Sequence, residues 1–83
     1  MALIACKDAR LRVRAFDRLA ALGYRVDAVG DLLAIERRLA KDDYDLIVTD
    51  SFEIPDVPAE TRIVQVDPAI IDQGDAFERA VAG

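Results

Sequence analysis

The chain has 83 residues and a mass of 9.1 kDa, which is enough for one small domain with a single hydrophobic core. Sixteen acidic and eleven basic residues give a net charge of −5, and the sequence pI is about 4.5. This charge argues against non-specific binding to nucleic acid or to an anionic membrane surface. The hydrophobic fraction of 53% argues against a disordered chain.

The cysteine and histidine counts restrict the chemistry further. Cys6 is the only cysteine, so an internal disulfide is excluded and a reducing compartment, the cytoplasm, is expected. Neither a signal peptide nor a membrane span is predicted, because no stretch approaches the ~18 apolar residues that a span requires. The chain has no histidine, which excludes histidine-based catalytic dyads and, with one cysteine, the common structural zinc sites.

The first part of the chain predicts a strand, a helix and a second strand. Residues 2–6 form an apolar run typical of a central parallel strand, and Asp8 follows as a candidate N-cap. A helix is predicted over residues 9–22, with Gly23 as its left-handed C-terminal residue. Its apolar positions at helical spacing are Leu11, Ala15, Leu19 and Leu22, with Phe16 and Ala20 beside them. Residues 24–29 alternate apolar and charged side chains, which is typical of an edge strand.

The middle of the chain repeats this alternation. Gly30 and Asp31 end the second strand and cap a second amphipathic helix, which is predicted over residues 31–41 with residues 36–38 on its solvated side. The apolar positions of that helix are Leu32, Ile35 and Leu39. Residues 45–49 predict a third buried strand that Asp50 follows. Residues 51–60 contain two prolines three positions apart, so no regular helix is expected where a third crossover helix would normally lie.

The last part predicts one more strand and a final helix. Residues 62–66 are the fourth strand candidate, and the Asp67–Pro68 pair starts the last segment. Phe77, Ala80 and Val81 form one apolar face of the last helix, for which Asp72 and Asp75 are alternative caps. Together these elements predict a single α/β domain over residues 1–83. Its sheet is small, doubly wound and parallel, with about four strands in the order 2-1-3-4, three helices and one shortened β-α unit.

Residues at the carboxyl ends of the strands are the candidate site, because ligands bind at that edge of parallel sheets. The residues predicted to surround this crevice are Cys6, Lys7, Asp8, Asp50 and Asp67. The segment GDLLAIERRLAKDDYDLIVTD, residues 30–50, resembles the second helix and third strand of the receiver domains of response regulators in two-component signalling. The opening LIACKDARLR and the QVDP of residues 65–68 also resemble parts of that flavodoxin-like fold.

The resemblance implies a role for Asp50 as the phosphoacceptor, but other positions depart from the family pattern. Cys6 and Lys7 stand where receivers carry the acidic pair that holds magnesium, and only Asp8 keeps a carboxylate. Asp67 stands where the resemblance expects a lysine that contacts the phosphoryl group. We therefore expect a truncated pseudo-receiver without enzymatic activity or cofactor, which acts by binding proteins.

Two alternatives to the pseudo-receiver interpretation remain open. In the first, Asp8 and Asp50, with Asp67 as a third candidate ligand, bind Mg²⁺, Asp50 accepts a phosphoryl group, and Lys7 replaces the missing lysine. In the second, the chain is an unrelated metabolic β-α fragment or a detached subunit of a larger enzyme, although no glycine-rich phosphate loop supports this. Individual residues also have structural interpretations: Asp50 as a solvated strand-end residue, and Cys6 as a core residue instead of a reactive thiolate beside Lys7.

Two groups of residues are candidate partner-binding surfaces. Arg10, Arg14 and Arg18 recur at i, i+4 and i+8, so they form one stripe of the first helix, named here the arginine stripe. The resemblance implies docking of a histidine kinase or phosphotransfer domain beside that helix, whereas the alternative is a solvated face. Phe52 and Ile54, with Val57, form an apolar loop beside a strand with no covering helix. This predicts self-association, most simply as a two-fold homodimer.

Overall fold

The structure is a computed structural model, and it describes residues 1–50, 57 and 60–82. The elements in chain order are β1 (Ala2–Ala5), α1 (Ala9–Ala21), β2 (Val26–Val29), α2 (Leu32–Lys41), β3 (Leu46–Thr49), β4 (Arg62–Gln65), α3 (Pro68–Asp72) and α4 (Gly74–Ala82). The four strands form one parallel sheet in the order β2-β1-β3-β4. The predicted doubly wound α/β fold and its strand order are therefore confirmed.

The apolar runs of β1 and β3 are explained by their central places in the sheet. β1 pairs with β2 on one side and with β3 on the other, and every residue from Ala2 to Ala5 is fully buried. A central parallel strand has helices on both of its faces, so neither set of alternating side chains reaches water. β2 and β4 lie at the two edges, which accounts for their mixed composition.

Helices cover the two faces of the sheet unequally. On one face, α1, α3 and α4 pack over the strands, and the largest fully buried side chains there are those of Ile4, Leu19, Val48, Ile71, Phe77 and Val81. On the other face, among the described elements, α2 packs over Leu3, Ala5, Val29, Tyr44 and Ile47 through its buried Ile35. Val57 packs against this second cluster.

The predicted caps Asp8, Gly23 and Asp31 are confirmed, but some apolar helix residues lie outside the core. Asp8 and Asp31 are the N-caps of α1 and α2, and Gly23 has the left-handed backbone expected after a helix, with φ of 92°. Three residues expected in the helix interfaces are 40–46% exposed, namely Phe16, Leu22 and Leu32. Leu22 is the C-cap of α1 and Leu32 the first residue of α2, so both lie at helix ends instead of over the sheet.

The C-terminal region contains two helices where one was predicted. Asp67 is the N-cap of α3, with its Oδ1 accepting a hydrogen bond of 2.9 Å from Ile70 N, and Pro68 is the first helical residue. The chain leaves helical geometry at Gln73 before α4 begins. Neither Asp72 nor Asp75 is the N-cap of the last helix, as had been predicted: Asp72 ends α3 and Asp75 lies in the first turn of α4.

Among the described helices, none combines the length and the apolar content needed to cross a membrane.

Candidate functional site

Asp50 connects the end of β3 to the segment that follows β1. Its Oδ2 atom accepts hydrogen bonds from the backbone N–H groups of Lys7 (2.9 Å) and Asp8 (3.1 Å). The register of the sheet makes this possible, because β1 and β3 are adjacent parallel strands and end at the same edge. The structure therefore brings Asp50, Lys7 and Asp8 together as predicted, and these three residues are named here the strand-end crevice.

The carboxylate of Asp8 serves the helix that it starts. Its Oδ1 atom accepts hydrogen bonds from Arg10 N at 2.8 Å and Leu11 N at 3.3 Å, which satisfies two of the free N–H groups at the start of α1. Mg²⁺ requires several oxygen ligands in near-octahedral geometry. Within residues 1–50, 57 and 60–82, no group of three or more metal-ligating side chains comes together.

Cys6 and Lys7 contribute to this edge of the sheet in different ways. The Cys6 side chain is fully buried, and its Sγ lies 3.9 Å from the Val48 carbonyl oxygen, so the thiol belongs to the core instead of the crevice. Burial, together with the negative charge of Asp50, raises the pKa of Cys6 to about 12. The thiol therefore stays protonated, as expected for a core residue. Lys7 is exposed, and its backbone N–H makes the contact with Asp50.

Gln65, the last residue of β4, also contacts Asp50, although it was not among the predicted site residues. Gln65 Nε2 donates a hydrogen bond of 3.1 Å to the backbone carbonyl oxygen of Asp50. Asp67, which was predicted to line the crevice, instead directs its carboxylate to the start of α3. The glutamine is exposed and neutral, so composition and spacing gave no signal for this contact.

Arg12 is a second residue that the sequence analysis missed. Its Nη1 atom donates a hydrogen bond of 2.9 Å to the carbonyl oxygen of Cys6, at the end of β1. The same guanidinium lies against Gly30, so that a Cβ atom on Gly30 would lie 3.1 Å from Arg12 Cζ. Arg12 lies one helical turn after the N-cap Asp8. Its contacts with Cys6 and Gly30 join separate elements of the fold, so the spacing of residues along α1 does not indicate them.

The arginine stripe lies along the junction of α1 and α3. Arg14 forms an ion pair with Asp72 at the end of α3, and both side chains are more than half exposed. A groove of about 320 Å³ along this junction is lined by Arg14, Asp17, Arg18, Ala21, Ile71 and Asp72. Arg10 lines a second groove, of about 220 Å³, beside Pro68. In the part of the chain that the structure describes, neither Arg10 nor Arg18 forms an ion pair.

The remaining predicted partner-binding residues are Phe52 and Ile54, which lie outside the described residues. Comparisons with protein-family models, with curated proteins and with solved structures find no match to this chain. The function must therefore be inferred from the residues themselves. The described geometry offers carboxylates bound to backbone N–H groups at one edge of the sheet, and a basic stripe on α1.

Proposed function

We propose that the chain is a receiver-like signalling module that binds another protein and does not transfer phosphoryl groups. The observation that carries this proposal is that both candidate magnesium ligands already accept hydrogen bonds from backbone N–H groups. Asp50 Oδ2 accepts two backbone hydrogen bonds, and Asp8 Oδ1 accepts two more at the start of α1. Both carboxylates thus stabilise the fold, and Mg²⁺-dependent transfer at Asp50 would have to compete with those bonds.

The arginine stripe is the surface that we propose for the partner. Arg10 and Arg18 carry positive charge on a chain whose net charge is −5, and they border the two grooves between α1 and α3. An acidic helix of a histidine kinase or phosphotransfer domain has the complementary charge, and such charge pairs mainly increase the association rate. A cytoplasmic location, where these partners' signalling domains lie and where a lone thiol stays reduced, is part of the proposal.

Phosphorylation of Asp50 is the second candidate function. It is favoured by the position of Asp50 next to Asp8 and Lys7 at the carboxyl edge of the sheet. In that case Lys7, whose side chain is exposed, would contact the phosphoryl oxygens and Mg²⁺ would be required.

Intact-mass spectrometry separates the two functions. The chain and its Asp50→Asn variant are incubated with Mg²⁺ and acetyl phosphate, and the mass of each is measured at intervals. We expect no phosphoryl adduct on either protein. An adduct on the native chain that is absent from Asp50→Asn would overturn the binding-only proposal and establish Asp50 as a phosphoacceptor.

Calorimetric titration against purified histidine-kinase and phosphotransfer domains tests the proposed surface. Once a binding domain is found, Arg18→Glu should weaken binding at least about tenfold, since it replaces attraction by repulsion at the groove. Arg37→Glu is the matched control, because Arg37 is exposed on α2 and the substitution changes the net charge by the same amount. Equal effects of the two variants would exclude the arginine stripe as the docking surface.

A further inference from the structure

The edge strand β4 has backbone groups that point away from the sheet. The N–H of Arg62 donates to Asp45 O (3.0 Å) and that of Val66 to Thr49 O (2.8 Å), so these residues face β3. Backbone groups alternate in direction along a strand. The N–H and C=O groups of Ile63 therefore point outward, as do those of Gln65. This outer edge could pair with one more strand.

An apolar side chain lies in the middle of the same strand. Ile63 is 48% exposed, although its partner in the register of the sheet, Ile47, is fully buried. Because β1 to β4 are in register, Ile63 shares the face of the sheet on which α2 packs over Leu3 and Ile47. In the described part of the chain, Ile63 does not belong to the cluster that Ile35 of α2 forms with Leu3 and Ile47. Among the described residues, the edge of β4 therefore combines outward-pointing backbone groups with an exposed isoleucine.

Charged side chains on β4 do not block this edge. Natural sheet edges are often blunted by charged side chains that discourage pairing with another chain. In residues 61–66 the only charged side chain is Arg62. Its guanidinium is directed to the C-terminal end of α4, where Nη2 donates to Ala80 O at 3.0 Å. No charged side chain of β4 is therefore directed to the outer edge.

We propose that β4 pairs in antiparallel orientation with β4 of a second copy, across a two-fold axis beside Ile63. In this arrangement Ile63 of each copy exchanges two backbone hydrogen bonds with Ile63 of the other. The two isoleucine side chains then pack against each other on the face that α2 leaves open. The two sheets join into one of eight strands, and both exposed edges become a single interior contact.

A second copy fits this edge better than a charged partner does. Residues 61–66 contain no acidic residue, so the net charge of −5 on each copy is not concentrated at the contact. The contact is also self-complementary, as a two-fold interface requires. A strand of four residues buries less than the roughly 800 Å² per partner of a standard interface, so the dimer is weak. The surface is separate from the arginine stripe, and the two proposals stand or fall independently.

Sedimentation measurements from about 10 μM to about 1 mM test the proposal. The native chain should shift from monomer to dimer across this range, and Ile63→Lys should raise the dissociation constant at least about tenfold. Val13→Lys is the matched control, since Val13 is 60% exposed on α1 and receives the same charge. A native chain that stays monomeric, or equal effects of the two lysines, would overturn the proposal. Circular dichroism confirms that each variant is folded.

Disulfide trapping tests the register. The Cα atoms of directly opposite residues in a hydrogen-bonded antiparallel pair lie about 5.5 Å apart, within the range of a disulfide. Ile63→Cys treated with copper-phenanthroline should therefore form a covalent dimer, while the buried Cys6 stays reduced. Val13→Cys is the control for random collision. Equal cross-linking of the two variants, or none at Ile63→Cys, would overturn the proposed pairing.

Discussion

The guanidinium of Arg12 fills the space beside Gly30 that a larger residue at position 30 would need. The same group donates its 2.9 Å hydrogen bond to Cys6 O, so Arg12 connects α1 to the ends of both β1 and β2. Among the described glycines, Gly23 has a positive φ and Gly30 does not. Glycine at position 30 therefore leaves space for the guanidinium, and no positive φ calls for glycine there.

Gly30→Ala should change the free energy of unfolding by less than about 1 kcal/mol, because two effects oppose each other. The new Cβ atom displaces the flexible end of the Arg12 side chain and removes its hydrogen bond to Cys6 O, worth about 0.5–1.5 kcal/mol, while a stiffer unfolded chain returns roughly 0.4–1 kcal/mol. In an Arg12→Ala background there is no guanidinium to displace, so Gly30→Ala should be neutral or stabilising there. Urea denaturation of the four proteins measures this coupling, and additive effects would contradict it.

Asp50→Ala should lower the free energy of unfolding by about 0.5–1.5 kcal/mol, because it removes the acceptor of the exposed N–H groups of Lys7 and Asp8 and water replaces it only in part. Asp50→Asn keeps one oxygen acceptor and should cost less. Asp43→Ala is the control, since Asp43 is an exposed aspartate in the segment between α2 and β3. Urea denaturation compares the three variants, and an equal loss in Asp50→Ala and Asp43→Ala would show that the bonds to Asp50 contribute nothing.

Local patterns in the sequence account for the elements that were predicted correctly. The apolar runs at residues 2–6 and 45–49 indicated central strands, and Asp8 and Asp31 indicated helix starts, because these signals depend on a few neighbouring residues. The break at Gln73 was missed, although Gly74 follows it, because an isolated glycine is also tolerated inside a helix. The sequence also gave no sign that Ile63 would remain exposed, because its cover depends on where α2 lies on the sheet.

The candidate site was predictable in position but not in contacts. Parallel strands end at one edge of the sheet, so the sequence could place Asp50 near Asp8. Which atoms meet depends on the register of β1 with β3 and on the direction of each side chain. The Asp8 carboxylate turns to the N-terminus of α1, and the Asp67 carboxylate to that of α3. N-capping thus competes with site formation for the same aspartates, and spacing alone does not decide between them.

The ion pair between Arg14 and Asp72 should contribute less than about 1 kcal/mol to stability, because both side chains are more than half exposed. A double-mutant cycle of Arg14→Ala and Asp72→Ala in urea measures the coupling, and about 0.5 M salt should reduce it. A coupling well above 1 kcal/mol that salt leaves unchanged would mean that the pair is the main link between α1 and α3.

Cys6 should react slowly with thiol reagents in the folded chain. Burial raises the pKa of Cys6 from 9.0 to about 12, so at pH 8 the folded chain holds on the order of a thousandfold less thiolate than the unfolded chain. Reaction with a disulfide reagent such as DTNB should therefore follow unfolding, and about 2 M urea should accelerate it. Equal rates for the folded and the urea-unfolded chain would show that the thiol is accessible.

The raised pKa of Cys6 should also make the free energy of unfolding fall at high pH. Below about pH 9 the Cys6 thiol is protonated in both states, so this residue adds no pH dependence to the free energy of unfolding. Above pH 9 the unfolded chain releases the proton while the folded chain keeps it until about pH 12. The contribution of Cys6 to stability should then fall by up to about 1.4 kcal/mol per pH unit. Cys6→Ala should be less stable at neutral pH, because it leaves a small cavity. The variant has no thiol to ionise, however. Its free energy of unfolding should therefore fall less steeply than that of the native chain between pH 9 and 11. Parallel curves would contradict the burial of the thiol.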